Sequence, residues 1–161
     1  MAKRKEAQPR GVRQPGRTRT EGAAVTRYIE SSALLAAVLE GDSAARVSIR
    51  AQGERVTSAL TLAEANRAVL RARLAGRITA QQQLAALLTL QRFARRCHVV
   101  SVTETILVHA GRPFPVEPIR TLDAIHLATA GALGDQPALV TIVARNIRVC
   151  NNATALGHPV E

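Results

Sequence analysis

A three-layer α/β fold around a parallel sheet of about five strands is the architecture this sequence predicts, because short Val- and Ile-rich runs alternate along the chain with stretches of helical spacing. The run at 138–143, Ala-Leu-Val-Thr-Ile-Val, is the clearest buried strand among them. The chain has 161 residues, 47% of them apolar, which is enough for one domain with a real core. Aromatic residues amount to only 2% and Trp is missing, so that core must be built from Ala, Leu, Val and Ile.

The elements follow in order. Residues 25–29 form a short apolar strand. Ser31 or Ser32 is placed to cap a helix over 33–39, which Gly41-Asp42 breaks before a second helix at 44–51. Residues 55–58 are a short strand. Thr61 opens a helix to 74, stopped at Gly76, and Thr79 opens another to 95. These two make a helical hairpin with Arg on its outer faces. A strand at 97–101, a helix at 103–110 and a loop containing Pro113, Pro115 and Pro118 come next. A helix from Thr121 ends near Gly131, the strong strand occupies 138–143, and a helix covers 147–156. Residues 158–160 are a candidate final edge strand.

Residues 1–24 have a different character. Lys3, Arg4, Lys5, Arg10, Arg13, Arg17 and Arg19 alternate with Pro and Gly, and large apolar side chains are almost absent. Such a segment buries too little surface to offset its ordering entropy and is expected to be disordered. It reads as an arm on RNA phosphates, as an uninvolved tail, or as upstream sequence if translation starts at Val25, where the folded pattern begins, through a GTG codon. The domain then spans 25–161.

The formal charge of +10 is carried mostly by Arg, whose planar fork of donors suits phosphate. A polyanionic partner and a GC-rich genome account for it equally well. Scarcity of aromatics leaves little scope for gripping single-stranded nucleic acid by stacking. Cys97 and Cys150 have neither CxxC spacing nor the makings of a disulfide framework, and read as reduced, partly buried thiols of a cytosolic protein. No apolar run reaches membrane-spanning length, so no membrane partner is expected. Phosphate-loop, GxSxG and zinc signatures are not found.

Ligands of open α/β sheets bind outside the carboxyl ends of the strands. Four polar side chains fall there: Glu30 directly after the first strand, Glu64 in the first helical turn after the second, Asp123 in the first turn of its helix, and Asn146 after the strand at 138–143. Each has a purely structural alternative. Thr61-Leu-Ala-Glu64 is a capping-box pattern. Asp123 complements a helix dipole, and Asn146 suits a turn. Glu30 resists such an explanation, because a carboxylate after a buried strand is costly unless paired. Together the four suggest one site for a hard divalent cation.

The blocks Tyr28-Ile-Glu-Ser-Ser-Ala-Leu-Leu35, Ser58-Ala-Leu-Thr-Leu-Ala-Glu64, Thr121-Leu-Asp-Ala-Ile-His-Leu-Ala128 and Ala144 through Ala155-Leu-Gly157 resemble, in content, order and spacing, PIN-domain ribonucleases of the VapC toxin type. The resemblance covers the folded part of the chain and implies a three-layer PIN-like fold. It implies a metal-dependent endoribonuclease, the toxin of a toxin–antitoxin pair, that hydrolyses RNA phosphodiester bonds with Mg²⁺ or Mn²⁺. Carried over by position, the catalytic set is Glu30, Glu64, Asp123 and Asn146, with Glu30, Glu64 and Asp123 as metal ligands and Ser32 in support. It further implies a cognate antitoxin covering the site, and a homodimer through the hairpin at 62–96. Three departures stand out. Glu30 replaces the usual Asp, Asn146 replaces the usual last acid, and Ala144 replaces a common Thr. They imply weaker metal binding and keep open a rival reading, a catalytically degenerate module that binds RNA or a partner protein without cutting.

Among the remaining candidates, His126 shares a helix face with Asp123 and reads as a metal ligand or, more simply, as a packing or hydrogen-bonding residue. Arg145 and Arg148 flank Asn146 and are candidate RNA-phosphate contacts. Arg67, Arg71, Arg92, Arg95 and Arg96 line a substrate path, face a partner, or are solvated surface.

Overall fold

The computed structural model describes residues 25–161; the basic segment 1–24, with the expectations attached to it, lies outside the described residues. Four parallel strands, β1 (Thr26–Ile29), β2 (Glu54–Ser58), β3 (His98–Val100) and β4 (Val140–Val143), form a sheet in the order β3-β2-β1-β4. The predicted fifth strand is reduced to a single parallel bridge, Ile142↔Val160. Its backbone bonds, Ile142 N to Pro159 O at 2.8 Å and Glu161 N to Ile142 O at 3.0 Å, still seal the outer edge of β4.

Helices cover both faces. They are α1 (Ser31–Leu35), which widens without a break into a π-helical turn at Ala36–Glu40, α2 (Ser43–Arg50), α3 (Ala59–Leu74), α4 (Ala80–Ala94), α5 (Glu104–Ala110), α6 (Thr121–Gly131) and α7 (Ile147–Ala155). Gly41 ends the π-turn in a left-handed conformation, φ 73°, and Asp42 then caps α2 by accepting the Ala45 N–H at 3.0 Å.

Alternation along the strands assigns the two cores. Ile29 and Val143 face one side and pack with α1 to α4 through Leu34, Ala65, Val69 and Leu90. Tyr28, Val140 and Ile142 face the other and pack with α6 and α7 through Leu127, Val149 and Ala153. A smaller cluster of Ile106, Ile125 and Ala128 joins α5 to α6. Each fully buried Ile or Val contributes about 1.5–3 kcal/mol.

Helix starts differ from the sequence expectation at two places, and both matter for the site. Glu30, not Ser31 or Ser32, is the N-cap of α1. Ser58, not Thr61, caps α3, its hydroxyl accepting the Leu60 N–H at 3.1 Å. The capping box at 61–64 therefore does not form, because the chain turns helical earlier. Thr61 lies fully buried inside the helix, its hydroxyl the one buried side-chain polar atom without a hydrogen-bond partner among the described residues. Glu64 moves from the first turn to the second and is free to bond elsewhere. Thr79 does form a capping box, with Gln82. No helix among the described residues is long and apolar enough to cross a membrane.

Candidate metal centre

The chain leaves β1 toward β2 on one side and returns to β4 on the other, so a crevice opens between the carboxyl ends of β1 and β4. Glu30 stands at its floor. Its N–H extends the ladder to Val143 O at 3.0 Å, and its side chain then turns back over the start of α1. The carboxylate is only 2% exposed. Oε1 accepts the Ser31 hydroxyl at 2.7 Å, while Oε2 accepts the Ser32 N–H at 2.8 Å and the Ser32 hydroxyl. These donors offset the cost of burying the charge. The Glu30 carboxylate thus caps its own helix.

Ser32 also ties the crevice together. Its oxygen accepts the N–H groups of Arg145 at 2.8 Å and Asn146 at 3.0 Å, joining the end of β1 to the start of α7. Asn146 caps α7 through its Oδ1, which accepts the Arg148 N–H at 3.1 Å, and its amide nitrogen donates to Asp123 Oδ1 at 2.8 Å. Arg148 Nε lies 3.3 Å from the other Asp123 oxygen. Arg145 is engaged away from the crevice, with Nε on Asp42 at 2.9 Å.

His126 has a larger part than its sequence context indicates. It is 1% exposed, with Nε2 2.7 Å from Glu64 Oε2 and 3.6 Å from Glu30 Oε1. Ionised carboxylates only accept, so Nε2 carries a hydrogen and donates. On the other ring nitrogen, the Tyr28 hydroxyl lies 3.0 Å from Nδ1. Tyr28, beneath the sheet, thus orients a His that holds two carboxylates side by side. Burial opposes the charge of Glu64, yet the His126 hydrogen bond and charge, with Ser31 and Arg71, hold its carboxyl below the usual range. Burial, opposed by a Thr129 hydrogen bond and aided by the nearby Glu30 charge, pushes the Tyr28 hydroxyl well above its ordinary value, so it stays protonated.

One ligand atom each from Glu30, Glu64 and His126 lie within 4.8 Å of one another. Sequence spacing pairs His126 with Asp123 along one helix face, whereas in the structure His126 points to Glu64 on α3, and Asp123 stands outside that cluster with Asn146 and Arg148. Buried polar identity at position 126 is the one signal in the sequence for this role; no spacing encodes a partner on another helix. Hard oxygen donors fit a divalent metal. Both cysteines are free and half-buried; burial raises the Cys97 thiol to about 11 and raises Cys150 as well.

A parallel three-layer fold with carboxylates gathered where its strand order reverses defines an α/β protein with a candidate acidic metal site. The PIN domain family matches residues 27–146. Ribonuclease VapC46 of Mycobacterium tuberculosis is 41% identical over 109 residues, covering 66% of this chain and 75% of that protein. Two solved structures share the fold. Mycobacterium tuberculosis VapC20, a sarcin-ricin loop cleaving toxin, has a TM-score of 0.59 at 19% identity, over 82% of this chain and 95% of that one. VapBC2 from Rickettsia felis, bound to a DNA fragment from their promoter, has a TM-score of 0.58 at 14% identity, over 84% and 97%. The chain belongs to the PIN domain family, as a member similar to VapC.

Proposed function

We propose that this chain is a metal-dependent endoribonuclease, the toxin of a toxin–antitoxin pair acting in the cytoplasm, with Mg²⁺ or Mn²⁺ as cofactor. The observation that carries this reading is the convergence of Glu30 and Glu64, held by His126, at the carboxyl edge of the sheet. Glu30 and Glu64 would hold the ion, with Asp123 and Asn146 across the crevice and Ser32 fixing the distance between the two sides. A bound divalent metal supplies Lewis acidity toward water and phosphate oxygen. Residues of the chain do the rest. His126 keeps Glu64 aimed inward, and Arg148 offers donors to the RNA phosphate. Arg145 can reach phosphate only by leaving Asp42. Water adds to phosphorus as the bond to the departing ribose oxygen breaks, and that oxygen takes up a proton.

The partner surface is equally specific in its chemistry. A groove between the π-turn, α2 and α4 has a floor of Leu34, Ile49 and Phe93 and a rim of Arg46, Arg50, Arg55, Arg92 and Arg96. None of these arginines has a carboxylate within 4.0 Å among the described residues. An antitoxin segment with alternating apolar and acidic residues fits there. The homodimer would use the α3–α4 hairpin, where Leu74, Leu84 and Leu88 are exposed.

The test incubates the chain with a structured RNA in Mn²⁺ or EDTA, beside Asp123→Asn and Glu64→Gln variants. Metal-dependent cleavage lost in both variants is the expected result. Binding of RNA without cleavage would establish the degenerate module, and cleavage persisting in both variants would identify a contaminating nuclease.

A further inference from the structure

The crevice is divided by its own hydrogen bonds. On one side Glu30 and Glu64 face each other with a buried donor between them. Across it, both oxygens of Asp123 are already taken, one by the Asn146 amide at 2.8 Å and one by Arg148 Nε at 3.3 Å. A carboxylate at 146 could not donate to Asp123, and would add a negative charge where Asn146 adds none. The Arg148 side chain is 39% exposed while Asp123 is buried, so the guanidinium caps the carboxylate from the solvent side, where substrate must approach. Three carboxylates and one guanidinium leave a net charge that a single divalent cation neutralises.

We infer that Arg148 stands in for a second metal ion, so that the site takes one divalent cation and the Arg148 guanidinium meets the RNA phosphate in its place. The inference rests on the metal-centre reading above. Guanidinium is suited to this exchange. It carries fixed charge, presents paired N–H donors to phosphate oxygens, and brings no requirement for further ligands. Two-metal phosphodiester sites hold their ions about 3.5–4 Å apart between shared acids. Here Asp123, the acid across the crevice from Glu30 and Glu64, has both oxygens bonded, to Asn146 and Arg148. Arg148 is therefore a catalytic residue, and Asn146 a positioning residue that keeps Asp123 turned toward it.

Counting bound Mn²⁺ on the full chain tests this directly, by electron paramagnetic resonance and calorimetry, without any substrate. The wild-type chain should bind one ion and the Asn146→Asp/Arg148→Ala double variant two, with circular dichroism confirming that both are folded. Two ions in the wild type, or one in the folded double variant, would overturn the inference and leave the metal centre standing. No ion in the wild type would overturn the metal centre itself and the inference with it. On structured RNA at saturating Mn²⁺, Arg148→Ala should lower kcat roughly a hundredfold with Mn²⁺ affinity unchanged or tighter, and Arg148→Lys should recover part of it. Loss of Mn²⁺ affinity in Arg148→Ala would show a structural role instead and refute the assignment.

Discussion

Glu64 and Asp123 enter the same crevice from helices on opposite faces of the sheet, and they are held in opposite ways. Glu64 is bonded to a His that is itself buried and backed by Tyr28. Asp123 is bonded to Asn146 and to a half-exposed Arg148. The first arrangement is rigid, because His126 is buried with both ring nitrogens engaged, out of reach of water. The second is adaptable, because the guanidinium can exchange its carboxylate for phosphate. An enzyme that must keep a cation and admit a polyanion needs both kinds of anchoring.

The comparison predicts where damage should be greatest. His126→Ala removes the buried donor between two carboxylates and opens a cavity, and should cost roughly 3–5 kcal/mol in urea unfolding. If that cost is under about 1 kcal/mol, the inner half is not the rigid one. Tyr28→Phe keeps the ring and drops one buried hydrogen bond, for a loss of about 1–2 kcal/mol by the same measurement. Asn146→Asp should act on the adaptable half alone, raising Mn²⁺ affinity about tenfold, or about 1.4 kcal/mol, in calorimetry with little change in folding stability. An unchanged affinity would mean that charge at 146 does not limit metal binding.

The smallest effect lies outside both halves. The Phe114 and Ile119 N–H groups, at 3.0 and 2.7 Å, hold the Glu117 carboxyl below its usual value. A depressed folded value means that this support is present above the unfolded pKa and is lost as pH falls through the folded one. Amide protection at Phe114 and Ile119, measured against the intrinsic exchange rate at each pH, should therefore fall on acidification below about pH 4. Protection independent of pH in that range would show that the carboxylate does not order the loop.

Much of this arrangement is legible in the chain. The strand and helix alternation, and the placing of Glu30, Asp123 and Asn146 at the carboxyl edge, follow from local patterning that the tertiary structure respects. Glu64 reaches the same edge by a different route. Its sequence context spells a helix cap, and the cap fails because Ser58 starts the helix three residues sooner. His126 and Tyr28 were the least readable. Their bond links residues 98 positions apart through a buried core, and a 3.6-residue period carries no information about it. The expected fifth strand shrank for a related reason: residues at the end of the chain bond to β4 along only one short stretch.

The pairing of β1 with β4 also governs when the crevice can exist. Thr26 to Ile29 lie against Val140 to Val143, so the first strand of the sheet finds its second neighbour, after β2, only in the last strand. Until then Glu30 lacks the Val143 carbonyl that fixes its backbone, and Ser32 lacks the two N–H groups that draw the rims together. Such long-range pairing is slow to form. A chain still emerging from the ribosome, or one clipped before β4, would carry three of the acids and no frame to hold them. Assembly of the crevice is thereby tied to the pairing of β4 with β1.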